Sequence, residues 1–218
     1  MGWMAKRRLR TGPTAALPAK PDQATLLRLL RLADPGARAD GADVVATDVR
    51  VHAPVEAEPD LVGGVLEKVW ACRVTAEGPL PVDFFDLFLA EGLAFRLGGL
   101  VVCRGEVSDP SDEEGGGPAV ILPARPSAED LAPLLEQEDE FTFTAGEVRA
   151  AVVPQRGQPP AVAELLPFAV ELTAVELRGD EPVKLGALAL ELSEALNGVA
   201  VDRRRFRIEA AEDLLPPE

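Results

Sequence analysis

Between Phe84 and Arg104 the chain reads FFDLFLAEGLAFRLGGLVVCR: a segment apolar almost all the way round a helix, a glycine pair, then a short apolar run. The same order returns from Val183 to Arg203, VKLGALALELSEALNGVAVDR. Leu97-Gly98-Gly99 aligns with Leu196-Asn197-Gly198, and glycine and asparagine tolerate the left-handed conformation in which helices commonly end. Each stretch therefore predicts a helix, a left-handed stop and a buried strand. Pro81 and Pro182 suit the first turn of these helices, and Asp83 complements a helix dipole. Helices with so little polar face need cover on more than one side.

The doubling reaches further. PDQATLLRLLRLAD from Pro21 aligns without gaps with PSAEDLAPLLEQED from Pro126, setting Leu26, Leu29, Leu30 and Asp34 opposite Leu131, Leu134, Leu135 and Asp139. Asp22 is placed to cap the first of these helices. Val49-Arg50 and Val148-Arg149 stand 99 residues apart, the same separation as Leu97 and Leu196. VVATDVRV from Val44 reads as a strand, and its counterpart from Phe141 to Val152 as a strand, or as a hairpin whose second run is Val148 to Val153. Glu58 to Val69 reads as a short helix opposite Pro160 to Leu166. Cys72 to Ala76 and Val170 to Ala174 both alternate apolar with polar residues, the period of a half-buried strand.

This order of elements predicts an α+β protein: a tandem duplicated α/β repeat with halves of ferredoxin-like or split βαβ type. The expected sheet is mostly antiparallel or mixed, with helices packed on one face. The boundaries expected are a flexible basic arm at 1–20, a first repeat at 21–107 and an acidic, glycine-rich linker at 108–125. The linker carries an edge strand at Ala119 to Leu122; a second repeat at 126–209 and a tail at 210–218 complete the chain.

With 218 residues and 47% hydrophobic content, the chain can bury one large core or two small ones. Mean hydropathy is close to zero and no apolar run reaches the roughly 18 residues of a membrane span. No secretory signal pattern follows the basic start, so the cytoplasm is the expected location. Cys72 and Cys103 sit in apolar runs, where a thiol behaves as a small inert hydrophobe. The net charge of −15 opposes binding to nucleic acid, whose phosphates repel such a surface. Charge is uneven: residues 1–38 carry eight Lys or Arg, among them Lys6, Arg7, Arg8 and Arg10, against Asp22 and Asp34.

Candidate chemistry is sparse. His52 is the one histidine, placed by alternation on the same side of its strand as Arg50, and tyrosine is absent. Asp109, Asp112, Glu113 and Glu114 lack the spacing of a calcium loop. Cys72, Cys103 and His52 lack zinc-site spacing, and Gly115-Gly116-Gly117 lacks the lysine of a phosphate loop. No cofactor, metal or catalytic residue is therefore assigned. The expectation is a non-enzymatic acidic interaction protein. Its partner is a protein of basic character, and Phe84, Phe85, Phe88 and Phe95 are candidate contact residues, through which a homodimer could also form. The alternative is a sensor that binds a metabolite in the cleft between the halves.

Overall fold

Gly12-Pro13 and Gly117-Pro118 each lead into a short apolar strand, Thr14–Leu17 and Ala119–Leu122, and each strand lies inside its sheet. The computed structural model describes residues 3–78, 84–112, 117–169 and 171–217 as an α+β protein with two antiparallel sheets and few helices. The chain divides into two compact units, Met1–Glu113 with Pro216–Glu218, and Glu114–Leu215.

The first unit runs α1 (Trp3–Thr11), β1 (Thr14–Leu17), α2 (Gln23–Ala33), β2 (Arg38–Asp40), β3 (Asp43–Ala46), β4 (Val49–Val51), β5 (Val55–Ala57), β6 (Val69–Ala76), α3 (Phe85–Arg96), β7 (Leu100–Cys103) and β8 (Glu106–Ser108). The strand order is β2-β3-β4-β6-β1-β7-β8, with β5 also paired to β6. The expected flexible arm is thus replaced by a helix and a central strand, Met1 and Gly2 lying outside the described residues. All four residues of β1 are buried: the run is uncharged and largely apolar, as a strand enclosed on both faces requires, and the Thr14 hydroxyl donates to the Leu9 carbonyl.

α2 begins where Asp22 accepts a hydrogen bond from the Thr25 N–H at 2.6 Å. It buries Leu26, Leu29, Leu30 and Ala33, and α3 buries Phe85, Leu89, Ala90, Leu93, Ala94 and Phe95. Each large side chain so buried contributes about 1.5–3 kcal/mol. Helices do not keep to one face as expected. Leu9 of α1 and Leu61 and Val62 of the 3-10 turn Pro59–Val62 pack over Ala16, Val69, Ala71, Leu100 and Val102. The short helix expected from Glu58 to Val69 is only that turn. Pro81 and Asp83, expected at the start of α3, lie outside the described residues.

The second unit runs β9 (Ala119–Leu122), α4 (Ala128–Leu131), β10 (Glu136–Gln137), β11 (Thr142–Ala145), β12 (Val148–Pro154), β13 (Thr173–Arg178), α5 (Pro182–Ala195) and β14 (Val199–Val201), in the order β10-β11-β12-β13-β9-β14. β9, expected at an edge, is an inner strand between β13 and β14. α4 and α5 cover one core, with Leu131, Leu185, Leu188 and Leu192 among its members. Ala161 and Val162, from the 3-10 segment Pro160–Phe168, belong to a second core with Ile121, Leu172 and Val199. The expected loose tail instead includes a 3-10 turn, Ala211–Leu214, so close to α5 that Gly186 has room for no side chain beside Ala211.

α4 has one turn where α2 has three, although the two sequences align without a gap. Pro133 stands where α2 has Arg28, and a proline ring has no N–H to donate and collides with the carbonyl four residues back. Leu131 and Leu135 still reach the core. Ser127 and Asp130 form a reciprocal capping box at the start of α4.

The two helix stops are built alike. Gly98 has φ 62° and Asn197 φ 52°, and the Gly99 N–H donates to the Ala94 carbonyl, the Gly198 N–H to the Ser193 carbonyl, both at 2.8 Å. The next glycine after each stop is needed for space. A Cβ on Gly99 would run into the Ala16 carbonyl oxygen, and one on Gly198 would lie 2.8 Å from that of Ile121. Ala16 therefore takes the position of Ile121. Ala16 pairs with Ala71 and Ile121 with Ala174, which makes Cys72 the counterpart of Val175 and corrects the sequence alignment of Cys72 with Val170. The Pro13 carbonyl accepts from Val74 N–H and the Pro118 carbonyl from Leu177 N–H, both at 2.9 Å, in keeping with that register. Thr75 faces Arg50 and Arg178 faces Arg149, so Arg50 and Arg149 correspond, as their sequence context suggests.

Candidate functional site

β3 and β4 form a hairpin whose turn is Thr47-Asp48, and antiparallel pairing continues past β4, where the His52 N–H donates to the Arg73 carbonyl at 2.9 Å. Residues directly opposite in such a ladder point to the same face. Asp43 and His52 therefore project side by side, as do Arg50 and Thr75.

The side chains make a connected polar set. His52 Nδ1 lies 3.3 Å from Asp43 Oδ2, and His52 Nε2 lies 3.0 Å from Thr75 Oγ1. A carboxylate at Nδ1 favours the Nδ1–H tautomer, which leaves Nε2 to accept the Thr75 hydroxyl proton. Asp43 is itself held, its Oδ1 accepting from the Ala53 N–H at 2.8 Å. Arg50 donates to Glu77 through Nε, to Asp40 through Nη2 at 2.8 Å, and to Asp43 through Nη1 at 3.5 Å. Its hydrogen bonds to Glu77 and Asp40 hold its pKa above the ordinary arginine range. His52 remains 40% exposed at the side chain, so the set is open to solvent.

Of the other candidates, Cys72 is buried and desolvation pushes its thiol up to about 12, the character of an inert core residue. Cys103 is half-buried, its pKa raised chiefly by desolvation. Among the described residues no group of three or more His, Cys, Asp or Glu is placed to hold a metal ion. Phe85 and Phe95 are buried and so are not surface contact residues; Phe88 is half-buried, and Phe84 is 69% exposed. Lys6, Arg7, Arg8 and Arg10 lie on α1, with the Lys6 side chain outside the described part. Arg10 Nη2 donates to the Asp60 carbonyl at 2.8 Å, which ties the end of α1 to the 3-10 turn.

The second unit carries the acidity. Residues 114–215 have nine Lys or Arg against nineteen Asp or Glu, a balance of −10 within the total of −15. Along β10 and the turn to β11, Glu136, Gln137, Glu138, Asp139, Glu140 and Phe141 are all exposed. The Arg125 guanidinium lies 4.6 Å from the centre of the Phe141 ring. Asp139 follows β10 in this turn, so its alignment with Asp34, which ends α2, does not hold.

Against known proteins, the chain matches no family model, and no curated protein or solved structure matches it significantly. Sequence reasoning noticed His52 and Arg50 but missed Asp43 and Thr75. A hairpin assigned about Thr47-Asp48 would have set Asp43 opposite His52.

Proposed function

We propose that this chain is a non-enzymatic binding protein whose acidic second half receives a basic protein partner. The observation that carries the reading is the exposed margin at β10 and the β10–β11 turn. Glu136, Glu138, Asp139 and Glu140 stand in a row beside an exposed aromatic ring that already has a cation over it. β10 is a terminal strand of its sheet, so a partner segment in extended form has backbone as well as charge to meet. Among the described residues no helix is long and apolar enough to cross a membrane.

The two halves are proposed to descend from one ferredoxin-like unit by tandem duplication. Support comes from the strand orders, which agree position for position when β1, β2, β3, β4, β6 and β7 are set against β9 through β14 in a chain order of β9, β10, β11, β12, β13 and β14. Within each, the order last-first-third-second of a split βαβ pair appears as β7-β1-β6-β4 and β14-β9-β13-β12. The halves differ where the partner is expected to bind: by register Arg38 of β2 takes the place of Glu136 of β10, so the two edges carry opposite charge at that one position.

The test is titration of the full-length protein with a fluorescent, extended lysine- and arginine-rich peptide at two salt concentrations. Binding that weakens with salt and is lost in a Glu136→Lys, Glu138→Lys, Glu140→Lys variant is the expected result. Equal binding to that variant refutes the assignment of the surface.

A further inference from the structure

The Asp43–His52–Thr75 set approaches the arrangement by which a hydroxyl is made nucleophilic: the hydroxyl within hydrogen-bond reach of a base, and a carboxylate oxygen 3.3 Å from the base's other nitrogen. It joins residues from three different chain segments, β3, the extension of β4, and β6. The fold does not require it. In the second unit the equivalent positions, fixed by the same strand pairing, hold Thr142, Ala151 and Arg178, and the sheet there has the same order and register without the network. What the strands do not need for pairing is free to serve chemistry.

We propose that Thr75 is an acyl-accepting residue, activated by His52 and Asp43 and reactive toward small neutral esters. As Thr75 Oγ1 bonds to the acyl carbon, its proton passes to His52 Nε2. The ester C–O bond breaks, and the departing alcohol takes that proton back. The products are O-acyl-threonine and the alcohol. Asp43 stays ionised and stabilises the imidazolium formed between these steps. The surroundings set limits on substrate and rate. Asp40, Asp43 and Glu77 gather around the single guanidinium of Arg50, leaving the neighbourhood negative. That field opposes anionic acyl donors and a developing oxyanion, so a stoichiometric adduct is expected in place of rapid turnover. This inference goes beyond the binding reading and rests on the first unit alone.

The experiment incubates the full-length protein with p-nitrophenyl acetate at neutral pH and follows it by intact mass and peptide mapping. The expected result is one acetyl group on the peptide containing Thr75. It should be lost in Thr75→Val, kept in Thr75→Ser, and formed about a hundredfold more slowly in His52→Asn. Asp43→Asn should slow it as well, since the tautomer is then unfixed. Trp70 lies in the neighbouring part of β6, so an unchanged emission spectrum checks that each variant is folded. If His52→Asn proves misfolded, the Thr75→Val and Thr75→Ser pair decides. No adduct on Thr75 in the unmodified protein, or an adduct formed as fast in folded His52→Asn, overturns the proposal.

Discussion

Substituting alanine at Gly99 tests the closest backbone approach in the first unit. The added methyl would sit 2.8 Å from Leu17 Cδ2 and closer still to the Ala16 carbonyl oxygen, and a main-chain atom of a central strand cannot swing aside as a side chain can. Either β1 or β7 must shift, and overpacking of this kind costs about 1–3 kcal/mol. Gly98 offers the contrast. Its φ of 62° calls for glycine or asparagine, a Cβ there would be in ordinary contact with Pro217, and the counterpart, Asn197, holds φ 52°. Gly98→Asn is therefore expected to be the milder change although it is the larger one, while Gly98→Ala costs about 1–2 kcal/mol for a left-handed alanine.

Tryptophan emission during urea unfolding is a suitable assay because both tryptophans, Trp3 and Trp70, belong to the first unit. With a loss of about 2 kcal/mol and an m-value of about 1.5 kcal/mol per molar, the Gly99→Ala midpoint should fall by about 1.3 M. A Gly99→Ala midpoint equal to the parent's, or a Gly98→Asn midpoint below that of Gly99→Ala, would refute the reasoning.

Other outcomes follow from the same packing and charges. Leu192→Ala, at a fully buried position in α5, should cost about 2–5 kcal/mol through the cavity it leaves, read as a loss in the far-ultraviolet circular dichroism midpoint. A thiol reagent at mildly alkaline pH should modify Cys103 slowly in the native protein and Cys72 only once the chain unfolds, since the Cys72 thiol is pushed up to about 12; rapid native labelling of both would contradict this. Asp22, Asp130 and Asp139 are each held below the ordinary aspartate range by hydrogen bonds, from the Thr25 N–H, from Ser127, and from the Phe141 N–H respectively. Stability from depressed carboxylates is present above their unfolded pKa and lost as pH falls through the native values, so the triple Asn variant should lose less on acidification than the parent.

The helix stops were legible because they are local: a Leu-Gly-Gly or Leu-Asn-Gly triplet carries its own backbone chemistry. β1 was not, for its four residues, two of them alanines, sit behind a basic helix that resembles a solvated terminus, and neither hydrophobicity nor period separates such a strand from a loop. The signal was nevertheless present. Gly12-Pro13 through Leu17-Pro18-Ala19-Lys20-Pro21 repeats as Gly117-Pro118 through Leu122-Pro123-Ala124-Arg125-Pro126, which extends the gap-free alignment back through both inner strands. The short α4 was misjudged through Pro133, whose single missing N–H outweighs the leucine spacing around it. The His52 site was out of reach for another reason: its members come from three segments, and only cross-strand register brings them together.

That register also separates what the fold demands from what each half has made of it. Gly99 with Gly198 and Pro13 with Pro118 meet the same steric and hydrogen-bonding need twice, so their identity in both halves reads as architecture. Asp43 against Thr142, His52 against Ala151, Thr75 against Arg178 and Arg38 against Glu136 occupy equivalent ladder positions with unlike chemistry. A position that tolerates such different side chains in one framework is not held by stability alone. Exchange of these residues between halves should therefore leave each core intact, while carrying the acidic margin or the histidine network with it; a collapse of either sheet on exchange would mean that the unlike residues are structural after all.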